Sequence, residues 1–439
     1  MDINQKNISD QQLNEWLIKH DASTIADELD HASDERRTQI FSLLPSEKTE
    51  RIFSFIEPVN QAQLIQDMDS KKAVHILEQM EPDDRARLFE EMSTETAHRF
   101  LRRLSTKERC ATSLLLKYPP ETAGRIMSPF FVALKPEQTV EDALKIIKDS
   151  GQEAETIHVL PVVDSDMRLE GVVGLDKLVL ANRNQYIKDL MYQKIKSFSV
   201  YDDQEKIARF IQSTDWLAVP IIEEDKRLAG IVTIDDAMDI MQEEETEDMF
   251  RGSASGPLGK PYLSVPVFRL MKIRVIWLSL LAVAGTLTVK VLSNFESTLN
   301  EVVALALFIP LLIGIGGNTG AQSATTIVRA LAVNDIRVGD FMRVTLRETA
   351  VGIQLGLFLG IASYVIVSII FEHNIALIVG LSLLSICSMA TFTGSLMPIL
   401  ARVMNLDPAV VSGPFVSTII DASGLLVYFS IAKTVMSGI

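Results

Sequence analysis

The sequence predicts a multidomain α+β membrane protein: an all-α superhelix, a duplicated α/β module, a linking helix and five membrane-spanning helices. Three observations carry this. Residues 43–106 repeat a turn-plus-helix pattern about every twelve residues, residues 122–241 hold one strand-and-helix pattern twice, and five long apolar runs follow residue 275. The boundaries are 1–121 for the superhelix, 122–187 and 188–250 for the two copies, 251–274 for a linker and connecting helix, and 275–439 for the membrane domain.

A length of 439 residues suits two to four domains. Residues 1–265 hold 32 Lys+Arg against 49 Asp+Glu, a net of −17, whereas residues 266–439 hold 10 against 8, a net of +2. Such acidity disfavours nucleic acid and anionic lipid headgroups as partners of the first half and favours cations. The N-terminus, MDINQKNISD, lacks a basic segment followed by an apolar core, so no cleaved signal is expected and the soluble half is placed in the cytoplasm. Cys110 and Cys387 stand one in each half, which leaves no disulfide framework or thiolate metal cluster.

In the superhelix, Pro45, Pro58, Ser70, Pro82, Thr94 and Thr106 follow one another at steps of 13, 12, 12, 12 and 12. Each marks a turn ahead of about two helical turns. Helices that short bury an apolar face only by stacking on their neighbours, which gives a continuous core. Asp83 and Asp84 fall at a helix start, where the dipole alone accounts for acids and a cation site needs converging partners.

The next pattern occurs twice. VEDALKII (140–147) returns as QEKIARFI (204–211), LPVVD (160–164) as VPIIE (219–223), and LEGVVGLDKL (169–178) as LAGIVTIDDA (228–237). The pair resembles tandem cystathionine-β-synthase-type (CBS) domains. That resemblance implies a sensor, often of adenine nucleotides, so ATP is a candidate ligand, while Asp176 and Asp235 read as helix caps.

From Asp235 to Asp248 there are eight acids and no Lys or Arg. Carboxylates three and four apart on a helix repel one another, and hard divalent cations such as Mg2+ or Ca2+ are their natural counter-ions. GSASGPLGKPY (252–262) reads as a linker and Val265 to Arg274 as an apolar-basic helix reaching the membrane.

Five spans are predicted at 275–293, 302–328, 349–371, 374–401 and 408–432. Lys272, Arg274, Arg329, Arg337, Arg343, Arg347 and Arg402 share one side when the N-terminus is inside, which puts the C-terminus outside. The second span carries FIPLLIGIGGNTGAQS (308–323). Pro310, Gly314, Gly316, Gly317 and Gly320 weaken helix continuity there, and bared carbonyls with the amides of Asn318 and Gln322 would line a polar path. Gly316 and Gly320 equally make a GxxxG packing face, and Gly352, Gly356 and Gly360 form a packing ridge. In the fifth span Asp421 lies ~20 Å along a helix from Pro408, beside Ser417 and Thr418. A lone carboxylate at that depth is costly and marks function. Similar arithmetic puts Asn318 ~24 Å from the outer end of its span, at a different level from Asp421.

PLLIGIGGNTGAQSATTIVRAL (310–331) and LDPAVVSGPFVSTIIDASGLLVYF (406–429), with YPPETAGRIM (118–127) and TEDM (246–249), resemble the MgtE family of magnesium channels over essentially the whole chain. The resemblance implies a plasma-membrane homodimer, embedded in lipid, that takes up Mg2+ through a pore lined by the second and fifth spans. It implies acidic cytoplasmic domains that bind Mg2+ and close the gate, and no enzyme activity. Asp421 then matches the pore carboxylate, with Gly317, Asn318, Gln322, Ser417 and Thr418 along the path. Asp203, Glu205, Asp215, Asp236, Asp239, Glu244, Glu247 and Asp248 match the sensor acids, with Asp407 at the inner mouth and Asp83 in the superhelix. Two departures stand out: Arg87 where some members carry an acid, and Gly413 where some carry Asn. The competing reading is a nucleotide-sensing transporter of another divalent cation or solute, coupled to H+ or Na+. An enzyme lacks support because the six His show no HExxH spacing.

Overall fold

The computed structural model describes residues 10–44, 46–258, 262, 265–404, 406–411 and 413–437. Two compact units divide the chain, Met1–Glu244 and Glu245–Ile439.

Among the described residues the first unit opens with nine short helices: α1 (Asp10–Lys19), α2 (Ala22–Asp30), α3 (Asp34–Ser42), α4 (Ser46–Ser54), α5 (Pro58–Asp67), α6 (Ser70–Gln79), α7 (Pro82–Glu90), α8 (Thr94–Leu101) and α9 (Thr106–Leu115). Their starts are spaced by twelve from Asp10 onward, so the repeat reaches further back than the sequence marks it. Pro58 and Pro82 begin α5 and α7, where a missing N–H costs nothing, and Asp69, Ser93 and Ser105 cap α6, α8 and α9 by accepting from backbone amides. Pro45 lies outside the described residues. Ile25, Leu29, Ile52, Leu64, Leu77 and Leu88 form one buried cluster along the stack, each contributing ~2 kcal/mol by leaving water.

The duplicated module follows as α10 (Ala123–Ile126), α11 (Val140–Ser150), β1 (Val159–Val163), β2 (Leu169–Gly174) and α12 (Leu175–Leu180), then β3 (Phe198–Ser199), α13 (Gln204–Thr214), β4 (Ala218–Ile222), β5 (Leu228–Thr233) and α14 (Ile234–Gly252). β1 pairs antiparallel with β2, β4 pairs antiparallel with β5, and β3 adds in parallel to β4. Each antiparallel pair carries a register shift at the same place, Val162/Val163 and Ile221/Ile222. The two turns match as well, with Met167 and Lys226 at φ 63° and 66°. Backbone bonds from Leu169 N to the Lys226 carbonyl (3.1 Å) and from Leu228 N to the Met167 carbonyl (2.9 Å) tie the copies together. The copies differ at their last helix, 6 residues in α12 and 19 in α14. The unit boundary at 244/245 falls inside that longer helix.

The second unit contains α15 (Val267–Asn294), α16 (Glu296–Glu301), α17 (Ile309–Ala332), α18 (Phe341–Ile370), α19 (His373–Val403) and α20 (Gly413–Ser437). Five of its helical segments are long and apolar enough to cross a membrane. Two expectations are corrected here. The connecting helix and the first span are one continuous helix, α15, because no Gly or Pro interrupts the chain between Val267 and Trp277. The glycine-rich stretch is helical throughout; irregular 3-10 backbone is confined to Val303–Phe308, ahead of Pro310. Neighbouring helices explain why those glycines are accepted. A Cβ on Gly316 would stand 2.6 Å from Ile386 Cγ2 and one on Gly320 2.0 Å from Ile420 Cδ1, so these positions let α17 approach α19 and α20 closely. The ridge on α18 likewise meets α19, with a Cβ on Gly360 falling 2.7 Å from the Gly380 carbonyl oxygen.

Candidate functional site

In the second unit the site is built from α17 and α20. Gly317 and Ser417 face each other, Ser417 Oγ donating to the Gly317 carbonyl at 3.1 Å. A Cβ on Gly317 would lie 3.4 Å from Ser417 Oγ and 3.6 Å from Asp421 Oδ1. Asp421 therefore stands level with the glycine next to Asn318, which corrects the expectation of separate levels. The cause is an offset between helix ends: Gly413, the first residue of α20, sits beside Ala321, whereas α17 continues ~16 Å further to Ala332.

Asp421 is half-buried, and among the described residues no hydrogen-bond or ion-pair partner meets its carboxylate. Asn318 and Gln322 are exposed on α17, on the side that a single chain leaves uncovered. Thr418 Oγ1 returns to the Pro414 carbonyl at 2.9 Å and is thus partly spent on its own helix. Sequence reasoning missed Glu348 on α18, which accepts from Ser323 Oγ of α17 at 2.8 Å. Its signal was a carboxylate one residue before an apolar span.

Near the start of this unit the acids are already paired. Arg251 bonds both Glu247 and Asp407, and Arg329 Nη1 lies 3.3 Å from Glu245. Asp407 also caps the turn at Pro408–Val410, accepting from Ala409 N at 2.8 Å. Asp248 adds its charge to the field that raises the Arg251 pKa.

In the first unit the predicted sensor acids have mixed duties. Asp203 caps α13, accepting from Glu205 N at 2.8 Å, and Glu205 pairs with Arg209. Asp215 ends that helix in the left-handed region at φ 56°. Glu244 accepts from Gln204 Nε2 at 3.0 Å, which docks α14 against α13. Asp236 accepts from Thr233 Oγ1 at 2.6 Å, yet burial and the charge of Asp235 push it up to about 6. Asp239 is exposed and, with Glu243, Asp84 and Asp83, surrounds Arg87, whose Nη1 is 3.3 Å from Glu243 Oε1.

Asp83 is the exception. It is 9% exposed, its Oδ1 has no partner, and burial followed by the charges of Asp236 and Asp84 drives its pKa well above the carboxylate range. Oxygens of Glu81, Asp83 and Glu155 lie within 4.8 Å of one another. Burial pushes Glu81 up to about 7 and Glu155 up to about 8, with neighbouring carboxylates adding to both. Neither Glu81 nor Glu155 stands out in the sequence, although a signal exists: eleven residues separate VEDALKII from β1, against six between QEKIARFI and β4, and Glu155 is in the longer connection.

Family profiles match three parts of the chain: a divalent cation transporter profile over residues 309–431, the MgtE intracellular N domain over 20–121, and CBS domains over 123–183 and 187–243. The magnesium transporter MgtE of Thermus thermophilus is 38% identical over 339 residues, 76% of this chain and 75% of that protein. The magnesium transporter MgtE of Enterococcus faecalis is 37% identical over 324 residues, 73% of this chain and 71% of that protein. The first unit is similar to a solved cytosolic domain of the Mg2+ channel MgtE in complex with ATP, with a TM-score of 0.50 and 29% identity over 53% of this chain and 95% of that one. At this identity and coverage the chain belongs to the MgtE family.

Proposed function

We propose that this chain moves Mg2+ across the plasma membrane and that Mg2+ bound to its acidic domains closes the path. The observation that carries the reading is Asp421, a carboxylate on a membrane-spanning helix with no protein cation beside it. Leaving an acid there costs ~3 kcal/mol or more, which a passing cation offsets. Mg2+ sheds water reluctantly, so a carboxylate reached through a hydrated ion suits it better than a dry cage of ligands. Ser417, Thr418, Asn318 and Gln322 supply the polar lining, and Gly317 leaves room beside them.

Two chains around a common axis would set two Asp421 carboxylates against one divalent ion. The exposed amides of Asn318 and Gln322 favour such a dimer, since a single chain turns them toward lipid. The cytoplasmic placement of the first unit, the outside C-terminus and ATP binding by the CBS pair belong to the same proposal. The relative solved with ATP supports the last of these. For feedback, acids on α14 repel one another until divalent ions bridge them, and several ions acting together give a steep response. Mg2+ uptake into proteoliposomes, measured beside Co2+ and Na+, tests the proposal. Mg2+ flux that disappears in Asp421→Ala while the protein elutes as wild type on size exclusion supports it, and flux carried by Na+ alone would replace it with the coupled-transport reading.

A further inference from the structure

We infer that Glu348 is a positioning residue of the transport path: through Ser323 it fixes the rotation of α17 and so aims the amides of Asn318 and Gln322. The inference rests on the path proposed above. Glu348 stands on α18, which contributes no residue to the proposed lining, and it accepts from Ser323 Oγ of α17 at 2.8 Å. Among the described residues no Lys or Arg pairs with it, so an acid at the edge of an apolar span is turned to a neighbouring helix rather than to a cation. Ser323 is buried, and its Oγ also lies 3.2 Å from the Thr391 carbonyl of α19. A serine hydroxyl has one proton to give, and the closer, charged acceptor takes it.

A rotational stop is needed because this face of α17 is nearly smooth. A Cβ on Gly394 of α19 would stand 2.5 Å from the Gly320 carbonyl oxygen and 3.0 Å from Ser323 Cβ. Small residues let the helices approach this closely but offer no large side chain that resists turning. Gln322 lies ~100° around the helix from Ser323, and Asn318 shares its side one turn outward, so a rotation at Ser323 moves both amides. Gly320, one turn outward from Ser323, packs on Ile420, and Gly317, a second turn outward, lies beside Asp421. The same rotation therefore changes how α17 meets the carboxylate. Removing Glu348 leaves no buried donor stranded, because the Ser323 hydroxyl turns to Thr391 instead. Such a variant folds, with α17 tied to α19 in place of α18.

Mg2+ uptake per folded protein is compared in proteoliposomes for wild type, Glu348→Ala, Glu348→Gln, Ser323→Ala and the double variant Glu348→Ala, Ser323→Ala, each checked by size exclusion. Glu348→Ala is expected to lower uptake on the order of tenfold, the factor carried by a hydrogen bond to a charged group. Glu348→Gln should restore most of it, since its amide oxygen still accepts. The double variant should lose no more than Glu348→Ala alone, because both changes remove one bond. A second readout needs no transport. Cys110→Ser removes the exposed thiol and Cys387 is buried, so a water-soluble thiol reagent reads a Gln322→Cys reporter alone, at a rate that Glu348→Ala shifts and Glu348→Gln does not. Additive losses, a Glu348→Gln protein as impaired as Glu348→Ala, or an unshifted labelling rate would overturn the inference. Wild type without Mg2+ uptake would sink the transport reading instead, and the labelling rates would still decide whether Glu348 anchors α17.

Discussion

Asp421 and Asp407 are both acids of the membrane unit, and they have been given opposite surroundings. Asp407 is bonded to Arg251, which also holds Glu247, and Arg329 stands against Glu245. Asp421 has no such cation among the described residues. A tethered guanidinium neutralises an acid permanently unless something outcompetes it, which suits a group that changes partner during gating. A bare carboxylate is neutral only while an ion is beside it, which suits a group that the cargo passes. A related contrast recurs in the first unit, where Arg87 is paired with Glu243 while, among the described residues, Asp83 Oδ1 has no hydrogen-bond partner.

The comparison breaks most sharply at Asp421. Asp421→Ala is expected to lower Mg2+ flux on the order of a hundredfold or more, since ~3 kcal/mol of ion stabilisation is lost at that carboxylate. Proteoliposome uptake reads this directly. Gly317→Val comes next: a Cβ there meets only ordinary contacts, so the chain folds while the added methyls crowd Ser417 and Asp421 and flux falls. Gly360→Ala has the opposite signature, because its Cβ would meet backbone at 2.7 Å. It is expected to cost about 1–3 kcal/mol of stability, seen as a lower melting temperature in detergent, with residual flux per folded protein kept.

The glycines also show what was legible in the sequence. Periodicity and duplication gave the superhelix, the paired modules and the five spans, because burial at fixed spacing leaves a pattern in one dimension. The level of Asp421 was not legible. Counting residues from the ends of apolar runs assumes that all helices begin at one plane, and α20 begins beside Ala321, far from the end of α17. Gly316 and Gly317 look alike in the sequence, yet one packs on Ile386 and the other faces Asp421. Glu81 and Glu155 escaped notice because their proximity depends on how the superhelix and the first CBS domain meet.

A smaller effect concerns the tethered charges. Arg251→Gln removes the cation that competes for Asp407 and Glu247, so inhibition by cytoplasmic Mg2+ should move to lower Mg2+ by up to about fivefold, the range of a partly exposed ion pair. Flux against cytoplasmic Mg2+ measures the shift, and a curve moved to higher Mg2+ would mean that Arg251 holds the closed state instead.

The smallest effect is a pH dependence at Asp30 and Glu57, the latter within the field of Asp239. Burial raises the pKa of Asp30, and burial with the charge of Asp30 raises that of Glu57. An acid whose folded pKa is raised favours folding below its unfolded pKa and loses that contribution as pH rises through the folded value. Thermal stability without divalent ions should therefore fall as pH rises from about 4 through the raised pKa values of this pair. Asp30→Asn should flatten that slope by no more than a few degrees of melting temperature, read by scanning calorimetry.

One titration separates a conducting acid from sensing acids: Mg2+ flux as a function of cytoplasmic Mg2+ for wild type, Asp421→Asn, and the triple variant Asp239→Ala, Glu247→Ala, Asp248→Ala. Wild type should conduct at low Mg2+ and fall silent as Mg2+ rises, Asp421→Asn should be silent throughout, and the triple variant should keep conducting at Mg2+ levels that close wild type. A triple variant whose inhibition curve superimposes on wild type, or an Asp421→Asn protein that conducts normally, would contradict the account.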